Sequence, residues 1–493
     1  MTTILAIDQS TSATKAMLFN EQAELTEQVS IRHQQYFPKP GWVEHDAEEI
    51  YQNLLRAVKE LKEKAPQTFR EISWLSITNQ RETIVVFDQK SGKPLSHAIV
   101  WQDRRAETFC ATLRNSGMGE VVHKKTGLIV DTYFPAGKLT WMKNNIPEVA
   151  AGLENGTALM GTIDTYLIYR LTKGKVYATD HTNASRTLFY DIDALDWDRD
   201  LIGIFGLKIK ELPEIQESAS IFGETDFEGL SEKPLPIAGV MGDSQAALFA
   251  EHCYQPGMAK ITFGSGSSIL MNIGNVRAQS DNGIVNAVAW VLNGQPTYAF
   301  EGITNFTGAT ISWLTDQLRL INNPAESEEL AQSVPDNSGV YFVPAFVGLG
   351  APYWKADAKG AIIGLTPGVK KEHIVRAALE GIGFTVTDVL KVMESEAGIP
   401  LTQLCADGGA VRNRFLMQFV ADINHRDLRV SLLPELSALG AVFSGGLATG
   451  VYRDTDAVQA INSGVIEYHP QLSIDSVETL YAGWNQAIKK VLL

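Results

Sequence analysis

The chain has 493 residues, of which 45% are hydrophobic and 20% charged, and its formal net charge is −15. This length exceeds what one hydrophobic core supports, so it predicts two domains of roughly 250 residues each. The acidic balance argues against nucleic acid or an anionic membrane surface as the principal partner.

The N-terminal residues, MTTILAIDQS, lack the basic and apolar segments of a secretory leader. Uncharged stretches further along are interrupted by proline or glycine before they reach the length of a membrane span. Cys110, Cys253 and Cys405 are scattered and lack the spacing of metal ligands, which indicates reduced thiols. We therefore expect a cytoplasmic protein without a membrane partner.

A β-hairpin is predicted at the start of the chain. Residues 4–7 form an apolar strand, residues 8–12 a polar turn that includes Thr11 and Ser12, and residues 15–19 a second strand. Asp8 ends the first strand and could hold Mg²⁺, because that ion favours one or two carboxylates together with phosphate oxygens. The alternative is that Asp8 only caps the turn.

A helix is predicted after Asp46, because this residue and Glu49 have the spacing of a capping box. The helix extends to about Lys64. Its buried face consists of four apolar residues at helical spacing, Ile50, Leu54, Val58 and Leu61. Strands that alternate with such helices indicate an α/β fold.

A second hairpin is predicted from residues 83–88 and 95–101, with its turn centred between residues 91 and 92. This register places Glu82 opposite Trp101 and gathers Arg81 and Asp103 at the same end. Charged groups beside an indole face suit a polyol, whose hydroxyls need hydrogen-bond partners and whose carbons need apolar cover. The alternative is a solvated strand end with incidental ion pairs.

Asp243 follows an apolar run and precedes a helix that we expect to start near Gln245. A carboxylate at this point could accept the proton of an attacking hydroxyl group. The alternative is that Asp243 is an N-cap, a common position for aspartate at the start of a helix.

The first hairpin recurs near the middle of the chain. Residues 259–263 and 269–273 are predicted strands around the turn 264–268, which begins with Gly264 and Ser265. The recurrence predicts a duplicated architecture with domains at residues 1–250 and 251–493. Neither a GxxxxGK[ST] loop nor a GxGxxG turn opening a helix is present. The N–H and hydroxyl groups of the two turns could instead receive phosphate oxygens, one turn from each side of a cleft.

A third glycine-rich element, Asp407 to Ala410, follows the predicted strand 403–406 and precedes a helix with one apolar face. Gly408 and Gly409 at such a turn let the backbone approach a flat ligand closely. The alternative is that the pair only makes a tight turn.

Longer motifs resemble the FGGY family of carbohydrate kinases over essentially the whole chain. YFPAGKLTWMKNN at residues 133–145 matches the first family signature, and GAIIGL at 360–365, continuing through HI at 373–374 and AALE at 377–380, matches the second. Within the family, the chain is most similar to the branch that acts on glycerol. The motifs that carry this similarity are PKPGWVEHD at 38–46, ITNQRET at 77–83, AIVWQ at 98–102, GLGAPYW at 348–354 and DGGAV at 407–411.

The resemblance implies an α/β fold with two ribonuclease-H-like domains of the actin/Hsp70 type around an ATP cleft. It also implies transfer of the γ-phosphoryl group of ATP to a terminal hydroxyl of a small polyol, most simply glycerol, by a homo-oligomer (a dimer or tetramer). The polyol would be contacted by Arg81, Glu82, Trp101, Tyr133, Asp243, Ser244 and Ser268. Asp243 would also be the general base.

The same resemblance assigns residues to the phosphate and nucleotide sites. Asp8 would serve the Mg²⁺ site, while Thr11 and Ser12 would face the transferred phosphoryl group. The residues assigned to the nucleotide are Gly264, Ser265, Gly308, Ser312, Gly408, Gly409 and Asn413.

The chain departs from the pattern of the glycerol-specific branch at Ser10, Ser12 and Lys15 of the first loop, where glycine, threonine and arginine are usual, and at two positions of the expected polyol site. That branch usually carries phenylalanine at the position of Ser268 and glutamine at the position of Ser244. Losing the phenyl ring removes a large apolar wall, so a longer polyol or ketose, such as erythritol, threitol, xylulose or ribulose, is the alternative substrate. A non-catalytic ATPase or a polyol-binding regulator is the alternative from another class. The set of Arg81, Glu82, Trp101, Tyr133 and Asp243 argues against the ATPase, and the presence of both Asp8 and Asp243 argues against the regulator.

Overall fold

The computed structural model describes residues 2–280, 282–355, 357–461 and 464–493. It divides the chain into two compact units: unit 1 comprises Met1–His252, Ala287–Tyr298 and Leu433–Asn462, and unit 2 comprises Cys253–Asn286, Ala299–Leu432 and Ser463–Leu493. The strands are β1 (Thr3–Gln9), β2 (Ala13–Asn20), β3 (Leu25–Arg32), β4 (Glu44–His45), β5 (Ile72–Asn79), β6 (Ile84–Asp88), β7 (Ala98–Ile99), β8 (Ala158–Thr162), β9 (Ala178–Asp180), β10 (Tyr190–Asp191), β11 (Asp196–Trp197), β12 (Glu214–Gln216), β13 (Ile221–Thr225), β14 (Leu235–Gly242), β15 (Met258–Phe263), β16 (Ser267–Gly274), β17 (Val285–Leu292), β18 (Gln295–Thr304), β19 (Tyr341–Val343), β20 (Ala361–Ile363), β21 (Gln403–Asp407), β22 (Leu428–Ser431) and β23 (Val465–Tyr468). The α-helices are α1 (Ala47–Lys64), α2 (Pro66–Arg70), α3 (Glu107–Asn115), α4 (Met118–Thr126), α5 (Pro135–Asn145), α6 (Pro147–Asn155), α7 (Ile163–Leu171), α8 (His181–Ala184), α9 (Arg199–Ile204), α10 (Asp243–Ala250), α11 (Gly308–Asp316), α12 (Glu326–Gln332), α13 (Lys371–Ala397), α14 (Arg414–Asn424), α15 (Leu436–Ala448), α16 (Thr455–Gln459) and α17 (Ile474–Leu492).

The main sheet of unit 1 has six strands in the order β13–β14–β5–β1–β2–β3. Strands β1, β2 and β3 pair antiparallel, whereas β5 runs parallel to both β1 and β14. Every residue of β1 is buried, as expected of a central strand covered on both faces. One cover is α1, whose Leu54 and Val58 share a buried cluster with Leu5 and Ile7 of β1.

Helix α15 packs closely on β14, although it lies far from that strand in sequence. Gly239 in β14 has φ +81°, and a Cβ placed on it would come within 2.3 Å of both the Ala441 carbonyl oxygen and the Gly445 nitrogen of α15. A Cβ on Gly445 would in turn lie 2.3 Å from the carbonyl oxygen of Ala238. The absence of side chains at Gly239 and Gly445 therefore permits direct backbone contact between the helix and the sheet.

The main sheet of unit 2 repeats this order. The strands of this sheet that lie wholly in unit 2 run β16–β15–β21–β22–β23, so that a hairpin (β15, β16) is again followed by two parallel strands (β21, β22) and an antiparallel edge strand (β23). The two units thus have the same core topology, as the recurring hairpin predicted. It is the ribonuclease-H-like arrangement of the actin and Hsp70 folds.

The predicted helix after Asp46 is confirmed as α1. The Asp46 side chain caps it by accepting from the N–H groups of Glu48 and Glu49, and its last residue is Lys64. The other half of the predicted capping box is not formed, since the Glu49 carboxylate accepts from the N–H of Gln34 instead.

The first hairpin and its recurrence near the middle of the chain are both confirmed, but their turns are shorter than expected. Asp8 and Gln9 belong to β1, and Ser267 and Ser268 belong to β16. The strands extend further because backbone pairing continues through polar residues: Asp8 pairs with Lys15, and Phe263 pairs with Ser267.

The hairpin predicted from residues 83–101 lies in a separate four-stranded sheet of unit 1, ordered β4–β7–β6–β8. Ile84 pairs with Ile99, the register that was predicted to set Glu82 opposite Trp101. The strands are shorter than predicted, since β7 contains only Ala98 and Ile99. Across the described part of the chain, helices long and apolar enough to cross a membrane are absent.

Candidate active site

The loop that joins β1 to β2 in unit 1 follows a buried carboxyl group near the end of β1. Asp8 lies inside β1, so the interpretation of this residue as a turn cap is wrong. Burial raises the pKa of Asp8 to about 7, opposed by the nearby Lys15 and reinforced by Asp243 and Glu435. The Lys15 ammonium is 2.5 Å from the Glu435 carboxylate. A cation bound at Asp8 would favour the ionised carboxylate.

The stem of this loop is fastened to the end of β5 by Gln80. The Gln80 N–H donates to the Gln9 carbonyl oxygen at 2.7 Å, and its side-chain amide donates to Gln9 Oε1 at 2.9 Å. The Ser10 N–H and hydroxyl both donate to the Ala13 carbonyl oxygen, which closes the turn. Beyond these contacts, Thr11 is half-buried and Ser12 is exposed.

Arg81 and Glu82 follow β5 and are almost completely buried. Glu82 has φ +62° and is 1% exposed. Its Oε1 accepts a hydrogen bond from Arg186 Nε at 2.7 Å, and Arg81 Nε lies 3.9 Å away. Arg81 Nε is also 3.2 Å from Asp243 Oδ1, while its Nη1 donates to Gln245 Oε1. The structure therefore brings the predicted residues Arg81, Glu82 and Asp243 together.

Asp243 is the first residue of α10 and is preceded by the N-cap Gly242. The interpretation of Asp243 as an N-cap is therefore wrong, whereas the predicted helix is confirmed with its start two residues before Gln245. Asp243 Oδ1 accepts from the Ser244 N–H at 2.6 Å, and its side chain remains 40% exposed beside the buried Arg81. Ser244, the second residue of α10, is half-buried. A partly exposed carboxylate held by a guanidinium can accept a proton from a bound hydroxyl.

Trp101 and Tyr133 form an aromatic wall in unit 1. Their rings meet edge to face with centroids 5.6 Å apart, and the Trp101 indole N–H donates to the Thr11 hydroxyl oxygen at 3.0 Å. Asp103 does not share the predicted role, because its carboxylate is occupied by the Val43 N–H at 2.6 Å and by the Arg105 guanidinium. Asp103 therefore stabilises the loop that carries Trp101.

Sequence reasoning missed several buried polar residues behind these groups. Lys138 in α5 is fully buried, and its ammonium donates to the Tyr133 carbonyl oxygen. Burial lowers the pKa of Lys138 to about 7, opposed by Glu82 and other nearby acids. Thr182 Oγ1 accepts from the Gly242 N–H at 2.8 Å and so supports the turn that presents Asp243. The available signal for Lys138 was a charged residue inside a mostly apolar segment, whereas Arg186 lies among polar residues and carries no such signal.

In unit 2, the predicted nucleotide residues around the second loop lie together. The N–H of Gly308, at the start of α11, donates to the Gly264 carbonyl oxygen at 3.0 Å. The Ser265 carbonyl oxygen accepts from the N–H groups of Thr307 and Ala309. A Cβ on Gly308 would lie 2.8 Å from the Gly264 oxygen, so this close approach needs glycine. Ser312 is exposed further along α11.

Gly408 and Gly409 serve different purposes. Gly408 has φ +96°, and a Cβ on it would lie 2.5 Å from the Phe263 carbonyl oxygen, which fits the tight-turn interpretation. Gly409 has no heavy atom within 4 Å of its Cβ position and so leaves open space beside the backbone. Asn413 caps α14 through the Leu416 N–H, and its amide donates to Ser327 Oγ.

Ser268 lies in β16, where it pairs with Thr262 of β15 and is half-buried. The Thr262 hydroxyl donates to the carboxylate of Asp407, at the end of β21. Burial raises the pKa of Asp407, opposed by Lys260.

Comparison with known proteins identifies the family of the chain. Residues 3–250 match the model of the N-terminal domain of the FGGY family of carbohydrate kinases, and residues 259–449 match its C-terminal domain. Glycerol kinase 1 of Thermotoga maritima is 45% identical over 489 residues, 99% of each chain. The crystal structure of Plasmodium falciparum glycerol kinase with ADP is 36% identical, with a TM-score of 0.96 over 100% of this chain and 99% of that one. A xylulose kinase structure from Lactobacillus acidophilus, 22% identical, shares the fold with a TM-score of 0.89 over 99% of both chains.

Proposed function

The chain belongs to the FGGY family of carbohydrate kinases, and from this we propose that it phosphorylates a terminal hydroxyl of glycerol with ATP. The observation that carries the proposal is the cluster of Arg81, Glu82 and Asp243 in unit 1. Near neutral pH such a cluster offers both donors and acceptors to a small polyol. Full-length similarity to glycerol kinases supports glycerol as the substrate, and the ADP of the Plasmodium enzyme supports ATP as the donor.

In the proposed reaction, Asp243 accepts the proton of the attacking hydroxyl. The hydroxyl oxygen forms a bond to the γ-phosphorus as the bond from that phosphorus to the β,γ-bridging oxygen breaks, which releases ADP. Arg81 holds the Asp243 carboxylate in place, and Glu82 accepts a hydrogen bond from a second hydroxyl. Trp101 and Tyr133 cover the carbon side of the polyol. Positioning of the two reactants supplies much of the acceleration.

The residues around Asp8 fit the Mg²⁺ ion that ATP-dependent kinases use. In the described ranges, no group of three or more histidine, cysteine or acidic side chains forms a complete metal cage. Mg²⁺ takes one or two carboxylates when phosphate and water oxygens complete its coordination. Asp8 would supply one of them, and Asp243 lies near enough to raise the pKa of Asp8. Asp8 would hold the ion, which when bound neutralises negative charge on the phosphates.

The remaining residues are proposed to hold the nucleotide. Thr11 and Ser12 would contact the transferred phosphoryl group, and in unit 2 the open space at Gly409 would admit a flat ligand. The other residues proposed to line the nucleotide are Gly264, Ser265, Gly308, Ser312, Gly408 and Asn413. The cytoplasmic location and the homo-oligomeric state predicted from the sequence stay proposals, and analytical ultracentrifugation would test the second.

Substitution of Asp243 by asparagine tests the mechanism. Asp243→Asn removes the proton acceptor but keeps the side-chain size, so we expect ADP release in the presence of glycerol to fall by about 10²- to 10⁴-fold. ATP affinity, measured by calorimetry, should change less than about twofold. Asp200→Asn is the matched control, since the Asp200 side chain is 89% exposed. Unchanged turnover in Asp243→Asn would remove the base assignment.

Ser268 is the observation that favours a second substrate class. The family resemblance assigns this position to the polyol site, and a serine there leaves more room and a hydroxyl in place of a ring. A larger polyol or ketose is therefore the second candidate. Kinetics with glycerol, erythritol, threitol, xylulose and ribulose would decide, and Ser268→Phe should move kcat/KM towards glycerol if the site is enlarged. A wild-type kcat/KM that is highest by far for glycerol would reject this candidate.

A further inference from the structure

The indole of Trp101 contacts both the loop between β1 and β2 and the ring of Tyr133. Its Nε1 lies 3.0 Å from Thr11 Oγ1, and the ring meets Tyr133 edge to face. An indole N–H can only donate a hydrogen bond. In this bond the Thr11 hydroxyl must therefore act as acceptor, which leaves its own proton free to be donated in another direction.

The backbone that follows the Thr11 side chain is held independently of it. His33 Nε2 donates to the Thr11 carbonyl oxygen at 2.8 Å, and the His33 N–H donates to the Ser12 carbonyl oxygen at 3.3 Å. Burial lowers the pKa of His33, so the ring is neutral at pH 7 and its one N–H is the proton on Nε2. With the backbone held by His33, the direction of the Thr11 hydroxyl depends on the partner of its side chain.

Trp101 is itself tied to the stem of the same loop. Its backbone N–H donates to Thr83 Oγ1 at 3.3 Å, and the Thr83 hydroxyl donates to Gln80 Oε1 at 2.8 Å. Gln80 in turn donates to Gln9 Oε1. A continuous chain of hydrogen bonds thus runs from Gln9, at the stem of the loop, through Trp101 to Thr11 at the tip of the loop.

We propose that Trp101 is a positioning residue for phosphoryl transfer, whose indole N–H holds the Thr11 hydroxyl so that its proton is donated to the phosphoryl group in transit. This inference rests on the proposed function, in which Thr11 faces that group. The oxygens of the phosphoryl group carry the charge that a fixed donor stabilises in the transition state. One side chain would then cover the polyol with its ring face and orient a phosphate ligand with its ring edge.

The two roles of Trp101 make different kinetic predictions. Cover of the polyol acts on binding and changes KM, whereas orientation of a donor acts in the transition state and changes kcat. If Trp101 only covered the polyol, its substitution would have the same effect with and without the Thr11 hydroxyl. The interaction between substitutions at the two positions therefore separates the two roles.

The test is a double-mutant cycle with Trp101→Phe and Thr11→Val, each measured for kcat and for glycerol KM. Loss of the indole N–H should lower kcat about five- to tenfold, as expected for one hydrogen bond to a reacting group. In the Thr11→Val background, where no hydroxyl remains to be oriented, Trp101→Phe should lower kcat less than about twofold. Thr11→Ser keeps the hydroxyl, and it should restore the full effect of Trp101→Phe.

A sulfur analogue of tryptophan, 3-benzothienylalanine, placed at position 101 serves as the matched control. It keeps the two-ring area and lacks only the N–H, so it should reproduce the loss of kcat while leaving the glycerol KM within about twofold of wild type. It also disturbs packing less than Trp101→Phe and so guards against a variant that fails to fold.

Equal effects of Trp101→Phe in both backgrounds, or an unchanged kcat with the sulfur analogue, would overturn the inference alone. In that case the wild-type enzyme would still phosphorylate glycerol, and Asp243→Asn would still lower turnover by about 10²- to 10⁴-fold. A wild-type protein that phosphorylates no polyol would overturn the proposed function and this inference together.

Discussion

Glu82 and Arg186 form an ion pair that is almost completely shielded from water. Arg186 Nε lies 2.7 Å from Glu82 Oε1, and the two side chains are 1% and 2% exposed. Arg186 also lies over the Phe134 ring, 5.2 Å from its centroid. Substitution of Arg186 by methionine keeps most of the side-chain volume but removes the charge, and leaves the Glu82 carboxylate buried beside a more distant Arg81.

Breaking one partner of a buried ion pair costs about 3–5 kcal/mol, because the remaining charge is left without compensation. For a domain of this size, each kcal/mol lowers the melting temperature by about 2–4 °C, so Arg186→Met should lower it by about 6–20 °C. Replacing Glu82 by glutamine in the same chain removes the uncompensated charge. The double variant Arg186→Met/Glu82→Gln should therefore recover part of the lost stability.

The assay is thermal and urea unfolding followed by circular dichroism, without ligand. Arg56→Met is the matched control, because the Arg56–Glu60 pair has a similar distance of 2.8 Å but side chains that are 65% and 41% exposed. Exposed pairs contribute about 0–1 kcal/mol, so this control should melt close to wild type. If Arg186→Met melted within about 2 °C of Arg56→Met, or the double variant were no more stable than the single one, the reasoning would be refuted.

Two further predictions concern the stability of unit 1. Gly239→Ala should destabilise the protein by several kcal/mol in urea unfolding, because the new Cβ would meet Ala441 and Gly445 at 2.3 Å. The control Gly229→Ala, at φ +91° in open space, should cost only about 1–2 kcal/mol. Equal losses of stability in the two variants would contradict the packing argument. Burial lowers the pKa of His45 to about 3, so the folded protein keeps this ring neutral at pH values where the unfolded chain protonates it. The free energy of unfolding should therefore be unaffected by His45 above pH 6.5 and should fall by up to about 1.4 kcal/mol per pH unit from 6.5 towards 3. His45→Gln should flatten the dependence of the urea midpoint on pH in this window, and an unchanged slope would count against it.

Features with a local origin could be predicted from the sequence. Helix α1 was predicted because its cap, Asp46, and its apolar period lie within one segment. The register of the second hairpin followed from the centre of its turn, which also set Ile84 opposite Ile99. The residues expected to contact the polyol were found because Arg81 and Glu82 are adjacent and Trp101 is their neighbour across that hairpin.

Features that depend on distant partners could not be predicted. Glu82 and Arg186 are 104 positions apart, and nothing near either residue reveals the other. Asp103 was expected to join the site, but its carboxylate is taken by Arg105, two residues away, and by Val43, sixty residues away. The extent of β1 through Asp8 is likewise set by pairing with β2 and β5 rather than by local polarity.

The position of α15 has a consequence for the order in which the chain acquires its structure. The helix packs on Gly239 of β14, yet residues 251–435 leave the ribosome before it does. Until then one face of the first sheet lacks its cover, and the nascent chain carries an unfinished domain that is prone to association. A fragment ending at residue 250 should therefore aggregate when made alone. Supplying residues 433–462 through a short linker should restore a monomeric fold, because the missing layer would then be local in sequence.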